Sequence, residues 1–148
     1  MLVLSNFNNY VGGGEVITLD FARYLRKTNT SYVLFCAEDS HIERTAISEG
    51  LRFLSGNKEN LSLHYCSKQS AEELAQKLMN LDCSLFRIVS FTFRDLYNYF
   101  LYSRYLNQPH AISHYVLHPE DYKYATSGRL LSAKKVIHKH LRILSELS

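Results

Sequence analysis

A chain of 148 residues, 46% of them hydrophobic, is long enough for one domain with a sizeable core and too short for two Rossmann-sized domains. Its 17 Lys and Arg against 14 Asp and Glu leave a charge of +3, which suits an anionic substrate or a membrane surface but is too small to mark a nucleic-acid binder. Cys36, Cys66 and Cys83 lie in or near apolar stretches without a Cys-x-x-Cys pair, and no leader-like segment or apolar run of about 18 residues occurs; the expectation is a reduced, cytoplasmic protein without a disulfide framework or zinc ribbon.

Leu2 to Phe7 reads as a strand. Glu15 to Lys27 reads as a helix, with Val16, Leu19, Ala22 (or Phe21) and Leu25 at helical spacing. Tyr32 to Cys36 is a continuous apolar run, the pattern of a parallel strand covered on both faces. A helix is expected from about His41 to Ser48, a surface loop over Ser55 to Asn60, and a strand over Leu61 to Cys66. Ala71 to Leu81 carries Leu74, Leu78 and Leu81 on one helical face, and Phe86 to Phe91 is strand-like. Asp95 to Leu106 suits a helix, His110 to Leu117 a fifth strand bracketed by Pro109 and Pro119, and Arg129 to Leu147 a last helix. Repeated strand-helix alternation predicts a single α/β domain: a Rossmann-like open parallel sheet with helices on both faces and right-handed crossovers.

Such sheets hold ligands outside the carboxyl ends of their strands, where the crossover direction changes. That rule nominates Asn6 to Glu15, Ala37 to Asp39, Ser67, Thr92 to Asp95 and His118 to Tyr124. Within the first of these, Gly12, Gly13 and Gly14 precede Glu15 at the strand-to-helix turn. Glycines there let a ligand approach the backbone, and amides at a helix start favour an anionic group. The spacing fits neither Gly-x-Gly-x-x-Gly, since Ile17 stands at the third position after Gly14, nor a Walker A loop, which ends in Gly-Lys-Ser or Gly-Lys-Thr. The bland alternative is a tight turn, with Glu15 favoured near the helix start by its charge.

His110, His114 and His118 recur every fourth residue. On a strand they share a face but stand roughly 13 Å apart at about 3.3 Å per residue, too far to share one zinc ion, so no metal is expected. His118, Glu120 and Asp121 follow the fifth strand and suit contact with phosphate or sugar hydroxyls, or simply a proline turn with solvated acids. Asp95 is either a contributor to the site or the N-cap of its helix. That helix carries aromatics around most of its circumference, Tyr97 included; core packing takes most of them, and another body is expected to cover the rest. In the last helix an apolar stripe of Leu130, Ala133, Ile137, Leu141 and Leu144 stands beside Lys134, Lys135, His138, Lys139 and Arg142; this is a solvated basic face or one that rests on an anionic membrane.

The stretch Asn8 to Arg26, with Gly12-Gly13-Gly14-Glu15 followed by Leu19, Ala22 and Leu25, resembles the Gly-Gly-x-Glu loop and first helix of GT-B glycosyltransferases, especially the retaining family-4 type. Tyr115 to Asp121 is similar to bacterial polysaccharide-type members. The resemblance implies that residues 1–148 are the amino-terminal, acceptor-side domain of an enzyme for a nucleotide-sugar donor and a glycan or lipid-linked acceptor, peripheral to the inner membrane face and without a cofactor, metal or nucleic-acid partner. It implies that Gly12, Gly13, Gly14 and Glu15 face the donor diphosphate. His118 would be the cleft-edge catalytic histidine, with His114 competing, and Asp95, Tyr97, Glu120 and Asp121 would line the acceptor side. The sequence departs from the family in having no Glu-x7-Glu motif, the mark of the carboxyl-terminal donor domain, and it has no Asp-x-Asp. The chain alone is therefore expected to be inactive. The other function class considered is a non-enzymatic binding or partner module of flavodoxin-like or Rossmann-like fold.

Overall fold

Apolar runs short enough for strands alternate with amphipathic stretches, and most of those among the described residues become the expected elements. The computed structural model describes residues 1–9, 11–57 and 68–115, apart from the side chains of Phe93, Arg94 and Tyr97. In chain order the elements are β1 (Leu2–Asn6), α1 (Gly13–Lys27), β2 (Tyr32–Ala37), α2 (His41–Glu49) and β3 (Phe53–Gly56). After them come α3 (Lys68–Met79), β4 (Phe86–Ser90), α4 (Phe93–Tyr102), a 3-10 turn (Ser103–Tyr105) and β5 (His110–His114).

The five strands form one parallel sheet in the order β3-β2-β1-β4-β5. The chain winds outward from β1 through β2 to β3, then crosses back to β4 on the other side of β1. The crossover direction therefore reverses between β1 and β4, the place at which open sheets of this kind form their crevice, at the carboxyl ends of the strands.

Both faces are covered by helices, as the near-continuous apolar character of β1 and β2 requires. On one face Val3, Phe7, Val33, Phe35, Phe86 and Ile88 pack with α3 and α4. Phe7 meets Phe35 edge-on at 4.9 Å between ring centres, and Phe35 meets Tyr102 at 5.8 Å. On the other face Leu4, Leu34, Cys36 and Val89 pack with α1 and α2. Burial pushes the Cys36 thiol up to about 12, so it is a neutral core group at physiological pH. Gly50 ends α2 in the left-handed region at φ 64°, a conformation that costs a glycine least.

The structure corrects one expectation. Ser55 and Gly56 were expected in a loop but belong to β3, where Leu54 pairs with Phe35 and Gly56 with Ala37. An edge strand of four residues with two apolar side chains leaves too short a pattern to read. On α4, Tyr99 and Tyr102 are buried and Phe100 and Leu101 half-buried against α3, the 3-10 turn and the sheet. The strand expected over Leu61 to Cys66 and the helix over Arg129 to Leu147 lie outside the described residues.

Candidate functional site

β1 ends in Ser5-Asn6, two polar residues closing an apolar strand, and both are fully buried. Burying polar groups at this point carries a free-energy cost unless they are hydrogen-bonded, and most of the crevice's architecture answers that demand. Asn6 Nδ2 donates to Thr18 Oγ1 at 3.1 Å, and the Thr18 hydroxyl donates to the Gly14 carbonyl at 2.7 Å. Asn6 Oδ1 accepts from the backbone amide of Asn8 at 3.1 Å. Asn8 Nδ2 donates to Glu15 Oε1 at 2.7 Å, so the β1–α1 loop is fastened to the first turn of α1 by side chains of both. Glu15, 1% exposed, is an inner brace of this loop whose charge suits the positive end of the helix.

The second wall is the β4–α4 junction. Thr92 is the N-cap of α4: its Oγ1 accepts from the amide of Asp95 at 3.2 Å and donates to Asp95 Oδ2 at 2.5 Å. Asp95 Oδ1 then accepts from the amide of Phe7 at 2.9 Å, across the crevice. Asp95 is fully buried; its carboxylate holds the hydroxyl of the Thr92 cap and ties the β4–α4 junction to the end of β1.

Between the walls runs the glycine turn. Gly12 is the N-cap of α1, and no side chain caps the first turn. The first amides of a helix lack intrahelical acceptors, so those of Gly13 and Gly14 are donors aimed out of the helix end. The two glycines differ in surroundings. A Cβ on Gly13 would meet nothing within 4 Å, whereas one on Gly14 would sit 3.4 Å from the Thr92 methyl and 4.0 Å from Asn6 Nδ2. Gly14 lets α1 approach β4; Gly13 leaves backbone open to the outside.

No family model, curated protein or solved structure matches this chain. The site therefore stands on its own geometry. The structure brings Gly12, Gly13, Gly14 and Glu15 together with Asp95 around the ends of β1 and β4. His114 is one strand farther out, at the end of β5, where its Nδ1 lies 2.8 Å from Ser90 Oγ. Ser5, Ser90 and His114 stand abreast on adjacent strands. The Ser5 hydroxyl is buried and has no hydrogen-bond partner among the described residues. His110 is held by the Gln108 carbonyl and the Tyr99 ring, away from this row. Tyr97 lies on α4, but its side chain is not among those described, and His118, Glu120 and Asp121 lie outside the described residues.

Thr18 and the Ser5–Ser90 pair are contributors that the sequence reading passes over. Polar residues closing apolar strands were the available signal for the serines. Among the described residues no cluster of three His, Cys, Asp or Glu side chains could hold a metal ion, and no helix is long and apolar enough to cross a membrane. The crevice can offer backbone donors to an anion from the α1 side, over a floor of hydroxyl and amide side chains.

Proposed function

We propose that this chain is the acceptor-side half of a GT-B-type glycosyltransferase, acting in the cytoplasm to move a sugar from a nucleotide-sugar to a hydroxyl of a glycan or lipid-linked acceptor. The observation that carries the reading is the open amino end of α1 at the topological switch point of the sheet, where a Cβ placed on Gly13 would meet open space. In the transfer, the acceptor hydroxyl oxygen bonds to the anomeric carbon as the bond to the donor's terminal phosphate breaks, and the hydroxyl proton passes to the departing diphosphate. Negative charge then grows on the departing diphosphate, and the preset amides of Gly13 and Gly14 are suited to stabilise it. Asn6, Asn8, Glu15 and Thr18 act as positioning residues that hold the turn. His118, Glu120 and Asp121 enter the reading through their place in sequence after β5. The donor's nucleotide needs a second domain, so the chain alone is expected to show no turnover.

One observation favours a second reading, a non-enzymatic binding module. Glu15 and Asp95 already brace the glycine turn from within, so it needs no ligand to hold its shape. Titrating the isotope-labelled chain with inorganic phosphate and with UDP separates the two. The enzyme reading expects NMR shifts at the amides of Gly13 and Gly14 with both ligands, lost in Gly13→Val, whose side chain enters open space and leaves the fold intact. Amides that stay still at millimolar ligand sink that reading and leave the module.

A further inference from the structure

The two faces of the sheet are unequally covered. On the α1/α2 face, α1 lies against β1 and β2, and α2 against β2 and β3. Beside α1 an open groove of about 460 Å³ runs along β4 and β5. Its lining joins the apolar Val89, Ile17, Phe21, Phe91 and Tyr115 to the polar Asp20, Arg87 and Ser113. Phe91 stacks on Tyr115 at 5.9 Å and meets Phe21 edge-on at 6.5 Å, so one side of the groove is a continuous aromatic wall. Ile17 and Tyr115 are 37% and 53% exposed, an uncovered apolar surface on a type of sheet that is otherwise covered on both faces.

We infer that this groove is the docking site of the chain's own residues 129–147, which lie outside the described residues. Two observations select them. Tyr115, the last described residue, already lines the groove, so the remaining chain departs from the groove itself. The segment then carries Leu130, Ala133, Ile137, Leu141 and Leu144 at helical spacing, one apolar stripe for a mainly apolar trough. The segment is also long enough to cover the groove and its tether long enough to bring it back. A helix over 129–147 runs about 28 Å at about 1.5 Å per residue, against about 17 Å for a five-residue strand, and residues 116–128 can span up to about 40 Å when extended. A tethered segment also competes at an effective concentration that a separate partner rarely reaches. On this assignment Lys134, Lys135, Lys139 and Arg142 face outward once the stripe is seated.

Hydrogen exchange of the full chain, followed by mass spectrometry, tests the assignment. Residues 130–146 are expected to exchange at least ~100-fold more slowly than in the unfolded chain, independently of protein concentration and of added anionic lipid vesicles. Ile17→Asp puts a charge into the groove wall at an exposed position. It is expected to speed exchange of 130–146 at least ~10-fold while the core strand at 33–36 keeps its protection; Ile137→Asp is expected to do the same from the other side. Unfolded-like exchange of 130–146 in the unaltered chain overturns the proposal, as does protection indifferent to Ile17→Asp. Protection that rises with protein concentration would give the groove to a second copy. Protection seen only with vesicles would give the stripe to a membrane, and either result also overturns the assignment.

Discussion

Two helices begin at the same crevice and solve the same problem in opposite ways. α4 closes its first turn with its own side chains: Thr92 takes the Asp95 amide, and the Asp95 carboxylate goes on to hold Phe7. α1 starts on Gly12 with no side chain over its amides, and its first carboxylate, Glu15, points back into the loop toward Asn8. One helix end serves as structural material and the other is left as chemistry. The contrast teaches that an uncapped helix end is affordable where the loop before it is fastened by other bonds.

Mutations at the two ends should therefore part company. The largest effect belongs to Asp95→Ala, which takes away the acceptor of both the Thr92 hydroxyl and the buried Phe7 amide; unfolding in urea should show a loss of about 3 kcal/mol. A loss below about 1 kcal/mol would break the comparison, since α4 would then be no more dependent on its cap than α1. Thr92→Ala removes the cap and keeps the Asp95–Phe7 tie, so about 1 kcal/mol is expected by the same measurement. Gly13→Ala reverses the sign: with open space around the new methyl, stability should rise by up to about 0.5 kcal/mol. If Gly13→Ala instead destabilises, the turn is under a constraint that the geometry does not display.

The smallest effect lies at the far end of α1 and serves as a reference. Arg23 donates to both carboxylate oxygens of Glu49, at 2.8 and 2.6 Å, and these hydrogen bonds hold the Glu49 carboxyl below its usual range. A carboxyl lowered in the folded state adds stability above its unfolded pKa, and that stability drains away as pH falls through the folded value. Glu49→Gln should therefore flatten the acid limb of the stability profile slightly and leave neutral-pH phosphate titrations at Gly13 unchanged. Arg23 and Glu49 are surface groups in water, which is why this effect ranks last.

The sequence made the central strands legible because β1, β2 and β4 are apolar runs and α1 repeats its apolar residues at one helical face. β3 escaped because Phe53 and Leu54 alone do not make a period. Within the site, the glycine turn could be read because its residue types are unusual at a strand-to-helix junction. The capping pair was available as well: Thr92 followed three residues later by Asp95 has the form of a capping box, with Asp95 as the partner of the cap rather than the cap itself. What could not be read is the bond from Asp95 to Phe7, which joins residues 88 apart, because no local pattern encodes who meets whom across a sheet. The same holds for Asn6 with Thr18 and for Ser90 with His114, pairings that exist only once the strands are in register.

The place of β1 in the strand order has a consequence for how the protein is made. β1 is flanked by β2 and β4, yet its partners arrive at very different times: Val3 finds Val33 early, while its other neighbour, Ile88, follows much later in synthesis. Throughout that interval the innermost strand of the finished sheet is an unprotected edge, rich in apolar side chains and ready to pair with a neighbouring nascent chain. Slowing translation between β3 and β4 should therefore raise aggregation more than slowing it after β4, and the Asp95–Phe7 tie marks the moment at which that exposure ends.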